Sequence, residues 1–120
     1  MKNIILLTLS FVPFLTQGNA AAQDFPVKEW ASTSQDKPLV FYLSGDGGLN
    51  KFSNSLCDGI NMKGYEVVEL NSKSYFWDKK TPEQTAIDVN NYLIEKMAGR
   101  KNQQVIMIGY SFGADVLPFI

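Results

Sequence analysis

Histidine is absent from this chain of 120 residues, and cysteine occurs once, at Cys57. A single cysteine excludes an internal disulfide bond, even in an oxidising compartment. Without histidine the chain also lacks the base that most often activates a thiol nucleophile. We therefore interpret Cys57 as a small, buried apolar residue on a helix.

An excess of charge of one sign is also missing. The chain has 11 basic and 12 acidic side chains and a formal net charge of −1. These charges are scattered rather than grouped in runs, and no basic stripe suggests binding to nucleic acid. The length allows one domain at most, and we expect neither a metal ion nor a cofactor.

The amino terminus has the pattern of a secretory signal peptide, which we predict over residues 1–22. Lys2 supplies the positive start, residues 4–15 form the apolar core, and residues 20–22 are three alanines. An apolar core of about 12 residues is too short to span a bilayer, which takes roughly 20 helical residues. We therefore expect an exported, soluble protein, cleaved after Ala20 or Ala22.

Strand and helix patterns alternate along the rest of the chain. Strands are predicted at 38–43, 65–70 and 104–109, and helices at 50–62, 81–98 and 112–117. Such alternation favours right-handed crossovers and a parallel sheet with helices on both faces. We predict a three-layer α/β/α domain over 38–120, preceded by an extension over 23–37. Strand 39–43 is expected in the middle of the sheet.

The two longer helices have recognisable faces and ends. In the first, Phe52, Leu56 and Ile60 share one face, and Gly64 follows its end. The second is predicted to begin with Thr81 as N-cap, followed by a proline at the first helical position and by a glutamine placed to complete a capping box. Its predicted buried stripe consists of Ala86, Val89, Leu93 and Met97.

A G-x-S-x-G pentapeptide spans Gly109 to Gly113, directly after the apolar run 105–108. A serine on a sharp strand-to-helix turn between two glycines is how an α/β-hydrolase presents its nucleophile. The turn strains the serine backbone, and a side chain at either glycine would collide with a neighbouring element. Ser111 is therefore the candidate nucleophile. The helix after it is expected to be short or kinked, because Pro118 follows.

A second glycine-rich segment, 44–48, follows the first predicted strand. Backbone N–H groups of Phe112 and of Asp46 or Gly47 are candidates for an oxyanion hole. A plain turn and a phosphate-binding loop are alternatives, although the segment lacks the Lys-Ser/Thr ending of a P-loop. The Asp46 carboxylate should turn away from a developing negative charge and is a candidate to hold a cationic substrate group.

The remaining candidates are an acid and three aromatic residues. Asp115 suits the first turn of a helix better than the role of catalytic acid, because no histidine lies between it and Ser111. Tyr75, Phe76 and Trp77 follow a strand end, where Tyr75 and Trp77 are candidates to contact substrate; buried packing is equally consistent with their positions. In the α/β-hydrolase order, the catalytic acid and histidine follow the serine, so we expect both beyond Ile120.

Four motifs together resemble the VirJ/AcvB family of bacterial virulence proteins: Gly45-Asp46-Gly47-Gly48, Tyr75-Phe76-Trp77, Thr81-Pro82-Glu83 and the run from Gly109 to Pro118. The resemblance covers about 39–120. It departs at Leu49, where the family usually has tryptophan, and at Ser74, where arginine is expected.

The resemblance implies a partial α/β-hydrolase fold, a periplasmic location, links to type IV secretion, and hydrolysis of aminoacylated phospholipids. It also implies peripheral contact with a membrane and a place for Asp46 opposite a lysyl ammonium group. Three hypotheses stay open: a periplasmic serine hydrolase completed by a downstream acid and base, a non-catalytic adaptor of type IV secretion, and a truncated inactive product. The 120 residues alone are expected to be catalytically silent.

Overall fold

A computed structural model describes residues 25–120 of the protein, so the predicted signal peptide lies outside the described residues. From residue 39 onward, the three predicted strands and three predicted helices follow in the predicted order. One further short helix, Ser72–Tyr75, lies where the sequence predicts a loop. The elements are β1 (Val27–Trp30), β2 (Leu39–Leu43), α1 (Lys51–Met62), β3 (Val67–Leu70), α2 (Ser72–Tyr75), α3 (Pro82–Met97), β4 (Val105–Gly109), α4 (Phe112–Val116) and a 3-10 turn (Leu117–Phe119).

The four strands within residues 25–120 form one sheet in the order β1-β3-β2-β4. Strand β2 pairs in parallel with β3 on one side and with β4 on the other. Every residue of β2 is buried, which explains its continuous apolar sequence, because a central parallel strand is covered on both faces. The predicted central position of this strand is confirmed.

The prediction of a purely parallel sheet of about three strands is wrong. Strand β1 pairs with β3 in the antiparallel direction, with Val27 opposite Leu70 and Trp30 opposite Val67. The sequence predicts only an extension at this point. An edge strand bonds to the sheet along one side, and β1 exposes Lys28 and Glu29, so no buried apolar run reveals it.

Helices cover both faces of this mixed α/β sheet. On one face, alternate residues of β2 and β3 join a core with Tyr75, Val89 and Met97 from α2 and α3. On the other face, Val40, Tyr42 and Val67 pack with Cys57 of α1. Cys57 is fully buried, which confirms its interpretation as a core residue.

Helix α1 is rotated relative to the predicted apolar face. Its buried residues are Ser53 and Cys57, whereas Phe52 is 54% exposed and Leu56 is 37% exposed. A capping box fixes its start: the Ser53 N–H donates to Asn50 Oδ1 at 2.9 Å, and the Asn50 N–H donates to Ser53 Oγ at 3.1 Å. Ser53 of the capping box and Cys57 lie one turn apart on the same face of α1, and this is the face that packs against the sheet.

Helix α3 begins as predicted, with Thr81 as N-cap accepting from the Gln84 N–H at 3.1 Å. The reciprocal bond of a capping box does not form, since the Gln84 side chain donates to Asp88 at 2.8 Å instead. Val89 and Met97 are buried, while Ala86 and Leu93 are half-buried. The predicted stripe is thus confirmed at Val89 and Met97, and Thr85, which the sequence does not predict, is the third buried residue of the helix.

The last strand is less covered than predicted. The sequence predicts a strand buried on both faces, but β4 pairs only with β2 among the described residues, and Ile106 is 41% exposed. The helix that follows is short, as Pro118 predicts: α4 ends at Val116 and continues as a 3-10 turn.

A network of charges ties the end of α3 to the sheet. Arg100 is almost fully buried and donates to Glu66 and, at 3.0 Å, to the Lys37 carbonyl. Lys96 Nζ lies 2.7 Å from Glu66 and 3.1 Å from Glu29 of β1. Buried carboxylates need such partners, because an unpaired charge is costly in the interior.

No helix within residues 25–120 has the length and apolar character that crossing a bilayer requires.

Candidate functional site

Ser111 occupies a strained turn between β4 and α4. Its φ is 53° and its ψ is −120°, and it is the one non-glycine residue with positive φ among those the structure describes. Such a conformation costs of order 1–3 kcal/mol and persists where the surroundings enforce it. Ser111 is exposed, and its side chain makes no capping bond to α4.

The two flanking glycines make this turn possible, because backbone atoms of neighbouring segments approach both of them closely. A Cβ atom on Gly109 would lie 2.6 Å from the Gly113 carbonyl oxygen and 2.7 Å from Ala114 Cα. A Cβ atom on Gly113 would lie 2.7 Å from the Ser44 carbonyl oxygen and closer still to that of Leu43. Any larger residue at either position must therefore displace main chain.

The second glycine segment lies directly beside the serine. A Cβ atom on Gly45 would be 3.4 Å from Ser111 Cβ and 3.6 Å from the Tyr110 carbonyl oxygen. The loop turns tightly here, because the Gly48 N–H donates to the Gly45 carbonyl at 3.0 Å. Sequence reasoning named Asp46 and Gly47 but missed Gly45, although its place directly after the strand and Ser44 was an available signal.

The loop after β2 is held in place by the loop after β3. Ser44 is fully buried; its N–H donates to the Leu70 carbonyl at 3.2 Å, and its hydroxyl accepts from the Ser72 N–H at 2.9 Å. Gly48 adopts a φ of 68°, and a Cβ atom there would lie 2.7 Å from Asn71 Oδ1. The carboxyl ends of β2, β3 and β4 lie at one edge of the sheet, and these contacts join the segments that follow β2 and β3.

The candidate oxyanion donors lie at this edge. Phe112 is the first residue of α4, and N–H groups in the first turn of a helix have no acceptor within it. The next N–H, from Gly113, already donates to the Tyr110 carbonyl at 2.9 Å. Asp46 and Gly47 sit exposed on the loop beside Gly45. Phe112 and the loop that contains Gly45 thus both lie next to Ser111.

A mostly apolar cavity of about 240 Å³ opens next to Phe112. Phe76 forms its wall with Phe112, since the two rings meet edge to face with centroids 5.2 Å apart. Asp115 and Lys80 add two charged groups to the lining. The full lining is Phe76, Lys80, Thr81, Pro82, Thr85, Phe112, Asp115, Val116 and Phe119.

The aromatic triplet divides between core and surface. Tyr75 is buried, and its hydroxyl donates to Asp88 at 2.6 Å; burial, and then this hydrogen bond, raise the pKa of Tyr75 to about 12. Trp77 is 80% exposed and does not line the cavity. Phe76, which sequence reasoning did not single out from the triplet, is the member beside Phe112.

Comparison with known protein families identifies a match for this chain. The family described as bacterial virulence protein (VirJ) matches residues 36–120. The chain belongs to the VirJ family. No curated protein and no solved structure matches the chain.

The VirJ match includes every part of the site described above, namely the Ser44–Gly48 loop, the aromatic triplet and the turn at Ser111. It begins before β2 and so leaves out β1, the antiparallel edge strand. Within residues 25–120 of this VirJ chain, no three side chains of histidine, cysteine, aspartate or glutamate are grouped as a metal ion would require.

Proposed function

We propose that this VirJ-family protein is a serine ester hydrolase with Ser111 as its nucleophile. The observation that carries the proposal is the strained backbone of Ser111, held between two glycines that pack against main chain. Strain of this kind concentrates at functional sites, and a strand–turn–helix with G-x-S-x-G is typical of the nucleophile turn of α/β-hydrolases.

The proposed reaction proceeds through an acyl-enzyme. A general base takes the proton from Ser111 Oγ as the oxygen attacks the ester carbonyl, and the negative charge moves to the carbonyl oxygen. The Phe112 N–H and an N–H near Asp46 or Gly47 stabilise that oxyanion. The alcohol leaves with the proton, and water then releases the acid from Ser111. The base and its acid partner are proposed to come from sequence beyond Ile120.

The proposed substrate is an amphipathic ester. The cavity beside Phe112 is lined mainly by aromatic and aliphatic side chains, with Lys80 and Asp115 as the charged groups. This combination suits a molecule with an apolar part and a zwitterionic or charged part. Aminoacylated phospholipids belong to this class, with Asp46 near the aminoacyl ammonium group. Export to the periplasm and a link to type IV secretion are parts of the same proposal.

The test is ester hydrolysis by the full-length protein and its Ser111→Ala variant. Loss of a nucleophile in a serine hydrolase removes on the order of 10⁴-fold or more of kcat, and we expect a loss of that size with an unchanged circular dichroism spectrum. Ser55→Ala, at an exposed position of α1, is the matched control and should keep full activity. Turnover that survives Ser111→Ala would refute the proposal.

A non-catalytic adaptor is the second candidate. It is favoured by the absence of histidine from the chain and by exposed apolar side chains, among them Phe52, Ile106 and Tyr110. An adaptor would bind its secretion partner equally well as wild type and as the Ser111→Ala variant, whereas a hydrolase would show turnover that depends on Ser111. Measuring partner binding and turnover on the same two preparations separates the candidates.

A further inference from the structure

A carboxyl group lies buried beneath α1, outside the site around Ser111. Glu69 on β3 has no exposed surface, and its Oε1 atom has no hydrogen-bond partner among the described residues. In the sheet, its neighbours in register are Tyr42 on β2 and Lys28 on β1. The Tyr42 hydroxyl, also buried, likewise has no partner there.

Helix α1 supplies the other contacts of this carboxyl. The Cys57 thiol donates to Glu69 Oε2 at 3.9 Å. The Ser53 hydroxyl, also on the buried face of α1, donates to the Asn50 carbonyl at 3.1 Å. Ser53 and Cys57 are one turn apart and are the buried residues of α1. The buried face of α1 therefore carries Ser53 and Cys57 and contacts Glu69 through the Cys57 thiol. The sequence predicts an apolar face at this position instead.

None of the charged groups described around Glu69 forms an ion pair with its carboxylate. Lys28 Nζ donates to Asn54 Oδ1 at 3.0 Å, and Asp58, a like charge, accepts from the Trp30 indole at 2.5 Å. No ion pair with Glu69 forms within residues 25–120. A buried carboxylate without a cationic partner is costly, whereas the neutral acid is tolerated.

The surroundings also favour one protonation state. Burial raises the pKa of Glu69 above the ordinary value of 4.5, against the lowering effects of Ser53, Lys28 and Cys57. Burial first, and Glu69 second, raise the pKa of Tyr42 to about 12 and that of Cys57 to about 12. We call Glu69, Tyr42 and Cys57 the buried cluster. Between pH 4.5, the ordinary pKa of glutamate, and strongly alkaline pH, Glu69 is the member of this cluster that titrates.

The cluster is connected directly to the glycine loop. Asn50, the N-cap of α1, follows Ser44–Gly48 by two residues, and it shares its capping box with Ser53. A change that releases Ser53 and Cys57 from the sheet therefore moves the start of α1. The loop beside Ser111 continues directly into that point of the chain.

We propose that Glu69 is a positioning residue that carries a proton in the folded protein and, in that form, holds α1 and the glycine loop against the sheet. Loss of the proton places an unpaired charge beneath α1 and loosens the helix. The effect on the loop as an oxyanion donor rests on the proposed function; the effect on α1 does not.

The first test compares the pH dependence of stability in the full-length protein and in Glu69→Gln, which mimics the neutral acid. The folded state keeps a proton that the unfolded state releases above pH 4.5. Stability should therefore fall as pH rises from that value to the folded-state pKa, because the unfolded state binds fewer protons there. The variant should lack this fall. Identical pH profiles for the two proteins would overturn the proposal.

The second test uses Cys57, the only cysteine in the chain, as a probe of α1. Its rate of labelling by a thiol reagent is measured in wild type and Glu69→Gln at the same pH, so that the ionisation of the thiol cancels in the ratio. Between pH 4.5 and the folded-state pKa of Glu69, each pH unit should raise the wild-type rate about tenfold relative to the variant, because the opened state releases a proton that the closed state keeps. Above the folded-state pKa the ratio of the two rates should level off. Near pH 4.5 the rates should agree. A ratio that does not change with pH would contradict the proposal.

A third measurement keeps the proposal testable if Glu69→Gln does not fold. The carboxyl ¹³C resonance of Glu69 in wild type reports its protonation directly, and we expect the neutral form to persist above the ordinary range of glutamate. An ionised Glu69 near pH 4.5 would overturn the proposal. None of these measurements uses ester turnover, so their failure and the failure of the proposed function are distinguishable.

Discussion

Replacing Gly113 with alanine isolates the contact that holds the Ser111 turn against the sheet. Gly113 is buried in α4 and faces the end of β2, where an added Cβ would lie 2.7 Å from the Ser44 carbonyl oxygen. The atoms that this Cβ would meet, the carbonyl oxygens of Leu43 and Ser44, both belong to the main chain. The Ser44 N–H donates to the Leu70 carbonyl at 3.2 Å, which fixes this segment. No side-chain rotation can relieve the clash, so α4 or the loop must move.

The magnitude follows from two opposing effects. Overpacking a well-packed site costs about 1–3 kcal/mol and occasionally more, and a fixed backbone puts Gly113→Ala at the upper end. The higher helix propensity of alanine returns about 1 kcal/mol. We therefore expect a net loss of about 2 kcal/mol in the free energy of unfolding, which is a sizeable part of the stability of a small domain.

The assay is urea unfolding of the full-length protein followed by circular dichroism, with Gly59→Ala as the matched control. Gly59 lies within α1, and an added Cβ there meets no atom within 4 Å. That substitution should stabilise the protein by about 0.5–1 kcal/mol, because glycine weakens a helix interior. Equal effects of the two substitutions, or a loss below about 0.5 kcal/mol for Gly113→Ala, would refute the steric argument.

Two further predictions concern the serine and the buried arginine. Ser111→Gly should be more stable than Ser111→Ala by about 1 kcal/mol in urea unfolding, because only glycine adopts a φ of 53° without strain; equal stability would show that the turn is not strained. Arg100→Leu should lose about 3 kcal/mol of unfolding free energy, since Glu66 keeps only Lys96 as a cationic partner. Lys96→Leu, whose side chain is 20% exposed, should lose less, and the reverse order would contradict this account.

Several features of the site could be predicted from the sequence because their causes are local. The strand before the pentapeptide, the two glycines and the short helix after Ser111 lie within about a dozen residues of one another. Thr81 and Pro82 likewise mark the start of α3 by contacts within one turn. The match to the VirJ family covers this same stretch of chain.

Other features depended on partners distant in sequence. The orientation of α1 is an example, since apolar periodicity favoured Phe52 and Leu56 on the inner face. The structure buries Ser53 and Cys57 there, because Glu69 on a neighbouring strand supplies a polar partner. Helical periodicity reports which residues share a face, but not which face meets a polar group elsewhere.

By itself the sequence determined the three parallel strands, the helices that follow them and the sharp turn at Ser111. Each follows from residues that are neighbours in the chain, where backbone geometry and hydrophobic periodicity act. The tertiary structure alone decided that β1 closes the sheet in the antiparallel direction, that Gly45 is the loop residue against Ser111, and that Phe76 meets Phe112 beside the cavity. These contacts join residues far apart in the chain, and only packing of the whole domain brings them together.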